Sequence, residues 1–423
     1  MTDERLSLMN KTRENLQSEL EVVLRDLKLQ QAWQNVVFEL VQRKFEHLDV
    51  RSSFAVAIYE YIQLLADKEK VELKGLKDDV LFRRQLPFAA AMVITIQYLE
   101  NHILDGKDGV KPEGGIDEYR LKEKLAASHY LKDFLYAYVR KRMFPRSLRN
   151  RDIVENCLER MFQITEEGQY AERMGSTLDN VQKGMSQMPE WSPIPAAYMN
   201  HELIEEILSK LLHYGLLPQR ASFTRFYLQR VYCTNAAYFS LLAECVMDLA
   251  GFKGKRWKKE RQNICFFAAG YGIIGQLIND IADYIPASEG ITSVAKKPED
   301  AYSDLRNHNY TLPFLLAVRD FEKAKTMLAA NLYDSQVQKK WFRLVKAQCS
   351  NCAIPMLKQI AKTLKLSLHK SESSKNDVLL DFMNVVYNQR YLKPFKNKSY
   401  SRASPAKTAS HGRKTKKRNE RDK

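Results

Sequence analysis

Strand-like alternation of apolar and polar residues is scarce in this 423-residue chain. An uncharged apolar run of the ~18 residues that a bilayer demands is missing altogether. The first absence argues against a sheet and the second against a spanning segment. The N-terminal stretch MTDERLSLMNKTRENLQSELEVV is charged and amphipathic where a secretory leader would be apolar, so a cytoplasmic protein is expected. Cysteine is sparse too, with 6 residues. Cys157, Cys233, Cys245 and Cys265 sit singly inside apolar patterns, and only Cys349 and Cys352 form a C-x-x-C pair. That pair has no second C-x-x-C and no nearby His, so ordinary reduced core thiols are expected rather than a four-ligand zinc site. No internal repeat is seen.

What the chain does have is apolar residues at three- and four-residue spacing, with 45% hydrophobic content, ample for a core. The periodicity predicts helices over 12–48, 53–70, 81–105, 118–141, 150–172, 200–215, 221–250, 259–284, 312–330, 335–365 and 376–390. Loops are predicted at GKDGVKPEGG (106–115), QMPEWSPIP (187–195), GFKGK (251–255) and over 286–310. The fold class is therefore all-α, a bundle of long helices around a central cavity, with residues 1–392 as a single domain.

The net charge of +16 is concentrated at one end. Residues 393–423 carry 12 Lys/Arg against 2 Asp/Glu and no apolar periodicity, and read as a basic disordered tail. Solubility alone accounts for such a tail. Contact with anionic lipid, which would make the protein membrane-peripheral, or with nucleic acid is the functional alternative.

Two polar islands interrupt otherwise apolar helices. In QLPFAAAMVITIQYLENHILDGKDG an apolar run from Leu86 to Tyr98 is followed at once by Glu100, Asn101, His102 and Asp105. In GYGIIGQLINDIADYIPAS the polar residues are Gln276, Asn279, Asp280 and Asp283. Asn101 and Asp105, like Asn279 and Asp283, stand four apart and so share one helical face. Oxygen ligands at that spacing suit Mg²⁺ completed by a substrate's phosphates. Helix capping is the plain alternative for Asp105, which precedes Gly106.

In order along the chain, these segments resemble those of the trans-polyprenyl diphosphate synthases, within the class I isoprenoid synthase superfamily. NHILD (Asn101–Asp105) stands for that family's D-D-x-x-D. GQYAE, with Gly168, Gln169 and Glu172, is similar to its G-Q-x-x-D. RVYCTNAAYFSLLAECVMDLAG offers Arg230 and Thr234 for its lysine and threonine. GQLINDIADY matches F-Q-x-x-D-D-x-x-D-Y through Gln276, Asp280, Asp283 and Tyr284, with Asn279 for the leading Asp. DLRNHNYTLPFLLA is similar to D-L-x-x-G-K-x-T-L-P, keeping Thr311, Leu312 and Pro313. The resemblance covers about residues 80–320. It departs from the family at Asn101 and Asn279, at His102, and at Asn309, which replaces the lysine before T-L-P. It also departs in the basic segments around the first motif, where only Arg83, Arg84, Lys107 and Lys111 remain.

The resemblance implies an isoprenoid synthase-type fold and a prenyltransferase that ionises an allylic diphosphate and transfers the prenyl group to isopentenyl diphosphate. Mg²⁺ would be held by Asn101, Asp105, Asn279, Asp280 and Asp283. Gln276, Arg230 and Thr234 would act on the diphosphate, with Gln169 and Tyr98 also lining the substrate. Tyr98 is equally readable as a core aromatic. A homodimer, or a heteromer with a related chain, is implied. The departures leave two alternatives open. One is a non-catalytic partner or regulatory subunit, and the other a terpene synthase-type ionisation of a single prenyl diphosphate, whose N-D opening Asn279 and Asp280 match.

Overall fold

The computed structural model describes residues 2–26, 49–104, 118–175, 177–182, 200–285, 302–368 and 379. The longer helices are α1 (Thr2–Asp26), α2 (Asp49–Lys68), α3 (Leu86–Leu104), α4 (Glu118–Tyr138), α5 (Leu148–Gly175), α6 (His201–His213) and α7 (Ala221–Val231). They continue with α8 (Ala237–Ala250), α9 (Lys258–Ala282), α10 (Leu312–Ala317), α11 (Phe321–Leu328), α12 (Ser335–Gln348) and α13 (Ile354–Leu368). Among the described residues there is no strand, as the sequence predicts.

Several predicted segments differ from those observed, and the predicted helix 335–365 is interrupted by a π turn at Cys349–Ala353. The segment 221–250 is not one α-helix, because a π turn at Tyr232–Ala236 joins α7 to α8. The segment 312–330 breaks at Val318, whose backbone is extended (φ −81°, ψ 112°), and Asp320 then caps α11 by accepting from the Lys323 amide. A single helical turn, Ser303–Arg306, lies inside the predicted loop 286–310. The loops 106–115 and 187–195, the tail 393–423, residues 27–48 and all of 376–390 but Leu379 lie outside the described residues.

α9 is the central helix. Residues 255–282 are long and apolar enough to cross a membrane, but 72% of the apolar window is buried inside the protein, as befits a core helix. α9 packs on α8, α13 and the π turn. Gly272 permits that last contact, since a Cβ there would stand 2.6 Å from the Ala236 Cα. The carboxamide of Asn235 completes the joint by donating to the Gly272 carbonyl at 2.7 Å. It also accepts from the Arg51 guanidinium of α2 at 3.3 Å.

The N-terminal helix is fastened by one carboxylate. Glu19 of α1 is 1% exposed. It accepts from Arg142 Nε at 2.6 Å, from Tyr138 Oη at 3.0 Å and from Arg84 Nε. Burial pushes the Glu19 pKa up, but the hydrogen bonds from Arg142, Arg84 and Tyr138 outweigh burial and leave it below the ordinary value. A carboxylate held this way stabilises the fold above its unfolded pKa and loses that contribution as the pH falls through the lowered folded value. Glu19→Gln is expected to lower unfolding free energy in urea by about 2 kcal/mol. That is less than the ~3–5 kcal/mol of a fully buried pair, because Arg84 and Arg142 keep 32% and 33% of their side chains exposed. The difference between the two proteins should shrink as the pH falls below the ordinary glutamate range and vanish only below the lowered folded value, where Glu19 is protonated in the folded chain as well.

Candidate functional site

The polar groups that interrupt α9 answer to different partners. Asn279 is exposed and Gln276 half-buried, whereas Asp280 and Asp283 are 1% and 0% exposed. Two buried carboxylates need donors. Asp280 Oδ1 accepts from Gln276 Nε2 at 2.7 Å, one turn back on α9, and Oδ2 accepts from the Tyr227 hydroxyl of α7. Burial, followed by the charge of Asp280, pushes the Tyr227 pKa well above its ordinary value, so this phenol stays protonated and is the donor. Asp283 serves the next segment. It accepts from Ser303 Oγ at 3.4 Å and from the Asp304 amide at 3.3 Å, while its own carbonyl accepts from the Tyr302 amide at 3.1 Å.

Arg230, one turn beyond Tyr227 on α7, is 4% exposed, and its guanidinium lies 5.2 Å from the Tyr227 ring centroid. It pairs with Glu172 of α5 at 3.5 Å and donates through Nη1 to Asn309 Oδ1. Asn309 in turn donates through Nδ2 to Glu172. Glu172, Asn309, Arg230, Tyr227, Asp280 and Gln276 thus form one connected network drawn from α5, α7, α9 and the segment 302–311. Thr234 donates to the Arg230 carbonyl at 3.0 Å across the π turn. Gly168 lets α5 approach that turn, since a Cβ there would lie 2.8 Å from Cys233 Cβ and 2.9 Å from Thr234 Cγ2. Gln169, beside it, is half-buried.

The segment 302–311 is held in an unusual backbone. Tyr302 (φ 60°) and His308 (φ 55°) both adopt the left-handed conformation, which costs ~1–2 kcal/mol for a residue with a Cβ. Tyr302 is fixed by its hydroxyl, which lies 2.7 Å from the Gln338 carbonyl and 2.8 Å from that of Tyr284. The turn at His308 is closed by the Asn309 amide donating to the Asp304 carbonyl at 2.7 Å. This delivers the Asn309 side chain to Arg230.

The first island is described only in part. Asn101 is half-buried on α3, and Tyr98 is 38% exposed. Gln97 is buried and donates to Thr165 Oγ1 of α5 at 2.8 Å. Asp105 and the side chain of His102 lie outside the described residues. Burial pushes the Glu100 carboxyl above its ordinary value; Lys132 and His129 oppose the rise and Glu166 adds to it.

Among the described residues, no three His, Cys, Asp or Glu side chains group into a metal-holding set. Both oxygens of Asp280 and both of Asp283 already accept hydrogen bonds, and the outward-facing member of that motif is the neutral Asn279. A divalent ion here would therefore need a substrate's phosphates to complete its coordination, with Asp280 and Asp283 as its carboxylates. Cys349 and Cys352 are buried free thiols, both pushed up by burial. Sequence reasoning missed two members of the network, Tyr227 and Asn309. The i, i+3 spacing of Tyr227 to Arg230 is the signal that could have found the first, and the second enters the sequence reading only as the replacement of a lysine.

No family model and no curated protein sequence matches the chain. Solved structures do match. A polyprenyl synthase from Caulobacter crescentus CB15, complexed with calcium and isoprenyl diphosphate, has a TM-score of 0.58 at 16% identity, over 91% of this chain and 98% of that one. A geranylgeranyl pyrophosphate synthase from Corynebacterium glutamicum, complexed with isoprenyl diphosphate and magnesium, scores 0.56 at 12% identity, over 91% and 98%. A decaprenyl diphosphate synthase from Rhodobacter capsulatus scores 0.55 at 14% identity, over 92% and 98%. The chain has the all-α isoprenoid synthase fold of these proteins.

Two substitutions check this geometry. Tyr227→Phe, which leaves a buried Asp280 oxygen without its donor, should lower unfolding free energy by about 2 kcal/mol. His308→Gly should raise it by about 0.5 kcal/mol in the same denaturation series, since relief of the left-handed conformation exceeds the added chain entropy of glycine.

Proposed function

We propose that this polar pole receives an allylic prenyl diphosphate and that the chain is a divergent prenyl diphosphate synthase, transferring the prenyl group to isopentenyl diphosphate. The observation that carries the reading is the network itself. Glu172, Arg230, Asn309 and the pair Gln276 and Asp280 lie in four sequence blocks that resemble the synthase motifs in order, and they meet at one place in a synthase fold. Arg230 is the cation of the network, and it would offset charge as the diphosphate departs. Gln276 and Tyr227 hold Asp280, and Thr234 braces the turn beside Arg230. The apolar bundle beneath would keep water from the allylic cation. Mg²⁺, which the resemblance implies, would supply further neutralisation of the leaving group. With this reading go a cytoplasmic location, peripheral contact with membranes through the basic tail, and a homodimeric or heteromeric assembly.

A second reading has a specific observation in its favour. The carboxylates of the second motif are engaged internally and its outward position is neutral, which suits a non-catalytic partner of a chain with complete aspartate motifs.

Purified protein incubated with labelled farnesyl and isopentenyl diphosphates and Mg²⁺ is expected to give a longer prenyl diphosphate, with Arg230→Gln lowering kcat/KM about 100-fold. Equal product from the variant, or none from the wild type, overturns the catalytic reading. Activity that arises only on adding a homologous chain with intact motifs establishes the partner reading instead.

A further inference from the structure

The Asn309 carboxamide stands between a carboxylate and a guanidinium, with its Nδ2 on Glu172 and its Oδ1 on Arg230. Glu172 also reaches Arg230 directly at 3.5 Å. Among the described residues, the network thus joins Arg230 to two carboxylates, Glu172 and Asp280, which offset its positive charge toward an incoming anion. Glu172 is the more accessible of the pair, with 29% of its side chain exposed against 5% for Arg230. Asp280 faces Tyr227 and Gln276, so Glu172 is the anion that competes for the guanidinium. The loop that carries Asn309 holds a left-handed residue immediately before it, so the amide is presented by a backbone with no other easy arrangement.

Resting on the reading that a diphosphate enters this pole, we propose that Glu172, held in place by Asn309, is a resident counter-ion that the diphosphate must displace from Arg230. The pair and the segment 302–311 that supplies Asn309 thereby set the affinity of the chain for diphosphates. The sign of the effect separates this from simple positioning. A residue that only orients Arg230 weakens anion binding when altered, whereas a competing anion strengthens it when its charge is removed.

Isothermal titration of the full chain with inorganic pyrophosphate, without divalent ions, tests the idea. Glu172→Gln should tighten binding about tenfold, and Asn309→Asp, which adds a second carboxylate beside Arg230, should weaken it about tenfold. Thermal melts identify any variant that fails to fold, and in that case the other variant carries the sign alone. If wild type binds and Glu172→Gln is unchanged or weaker, the counter-ion role is overturned while the diphosphate site stands. If neither wild type nor Glu172→Gln binds pyrophosphate, both fall together.

Discussion

Charge taken out of water has to be answered by donors or by an opposite charge, and this bundle obeys that constraint at Asp280, Asp283 and Arg230. Asp280 is answered by Tyr227 and Gln276, Asp283 by Ser303 and the Asp304 amide, and Arg230 by Glu172 and Asn309. Apart from Gln276, which stands one turn before Asp280 on α9, each answer comes from another segment of the chain. The helix ends at this pole are therefore positioned by electrostatics as much as by the apolar core beneath them. Removing one partner strands another, which makes the network behave as a unit.

The same constraint accounts for a chain that shares only 12–16% identity with solved synthases yet superposes along most of its length. Core positions tolerate exchange among apolar residues of similar volume. A buried charge tolerates only changes that keep it compensated. Where the resembling motif has a lysine before T-L-P, this chain has Asn309, which bridges Glu172 and Arg230. At the preceding position, His308 holds a left-handed turn without glycine because neighbouring hydrogen bonds fix it.

Helical periodicity made the all-α class legible, because burying one face of each helix imposes a 3.6-residue rhythm on the sequence. It did not reveal the π turn at Tyr232–Ala236, where one helix passes into the next without any change of rhythm or any proline. The break at Val318 was hidden for a related reason, since Leu312–Val318 is apolar throughout and only Asp320 marks a new start. At the site, ordered motif blocks pointed to Gln276, Asp280, Asp283, Glu172 and Arg230. They could not say which way each side chain turns. Asn279 and Asp280 are neighbours in sequence, yet one is exposed and the other buried, and that difference follows from tertiary contacts with α7. Asn101 and Asp105 carry the matching half of the expectation, and Asp105 lies outside the described residues.

The carboxylate of Glu19 has a consequence for how the protein is made. Its two guanidinium partners are supplied by residues 84 and 142, so the first helix leaves the ribosome well before either can reach it. Until then α1 has an acidic group on the face it must bury, and docking that face would be unfavourable. α1, synthesised before both of its partners, would thus settle late, as a clasp closed over a bundle already begun.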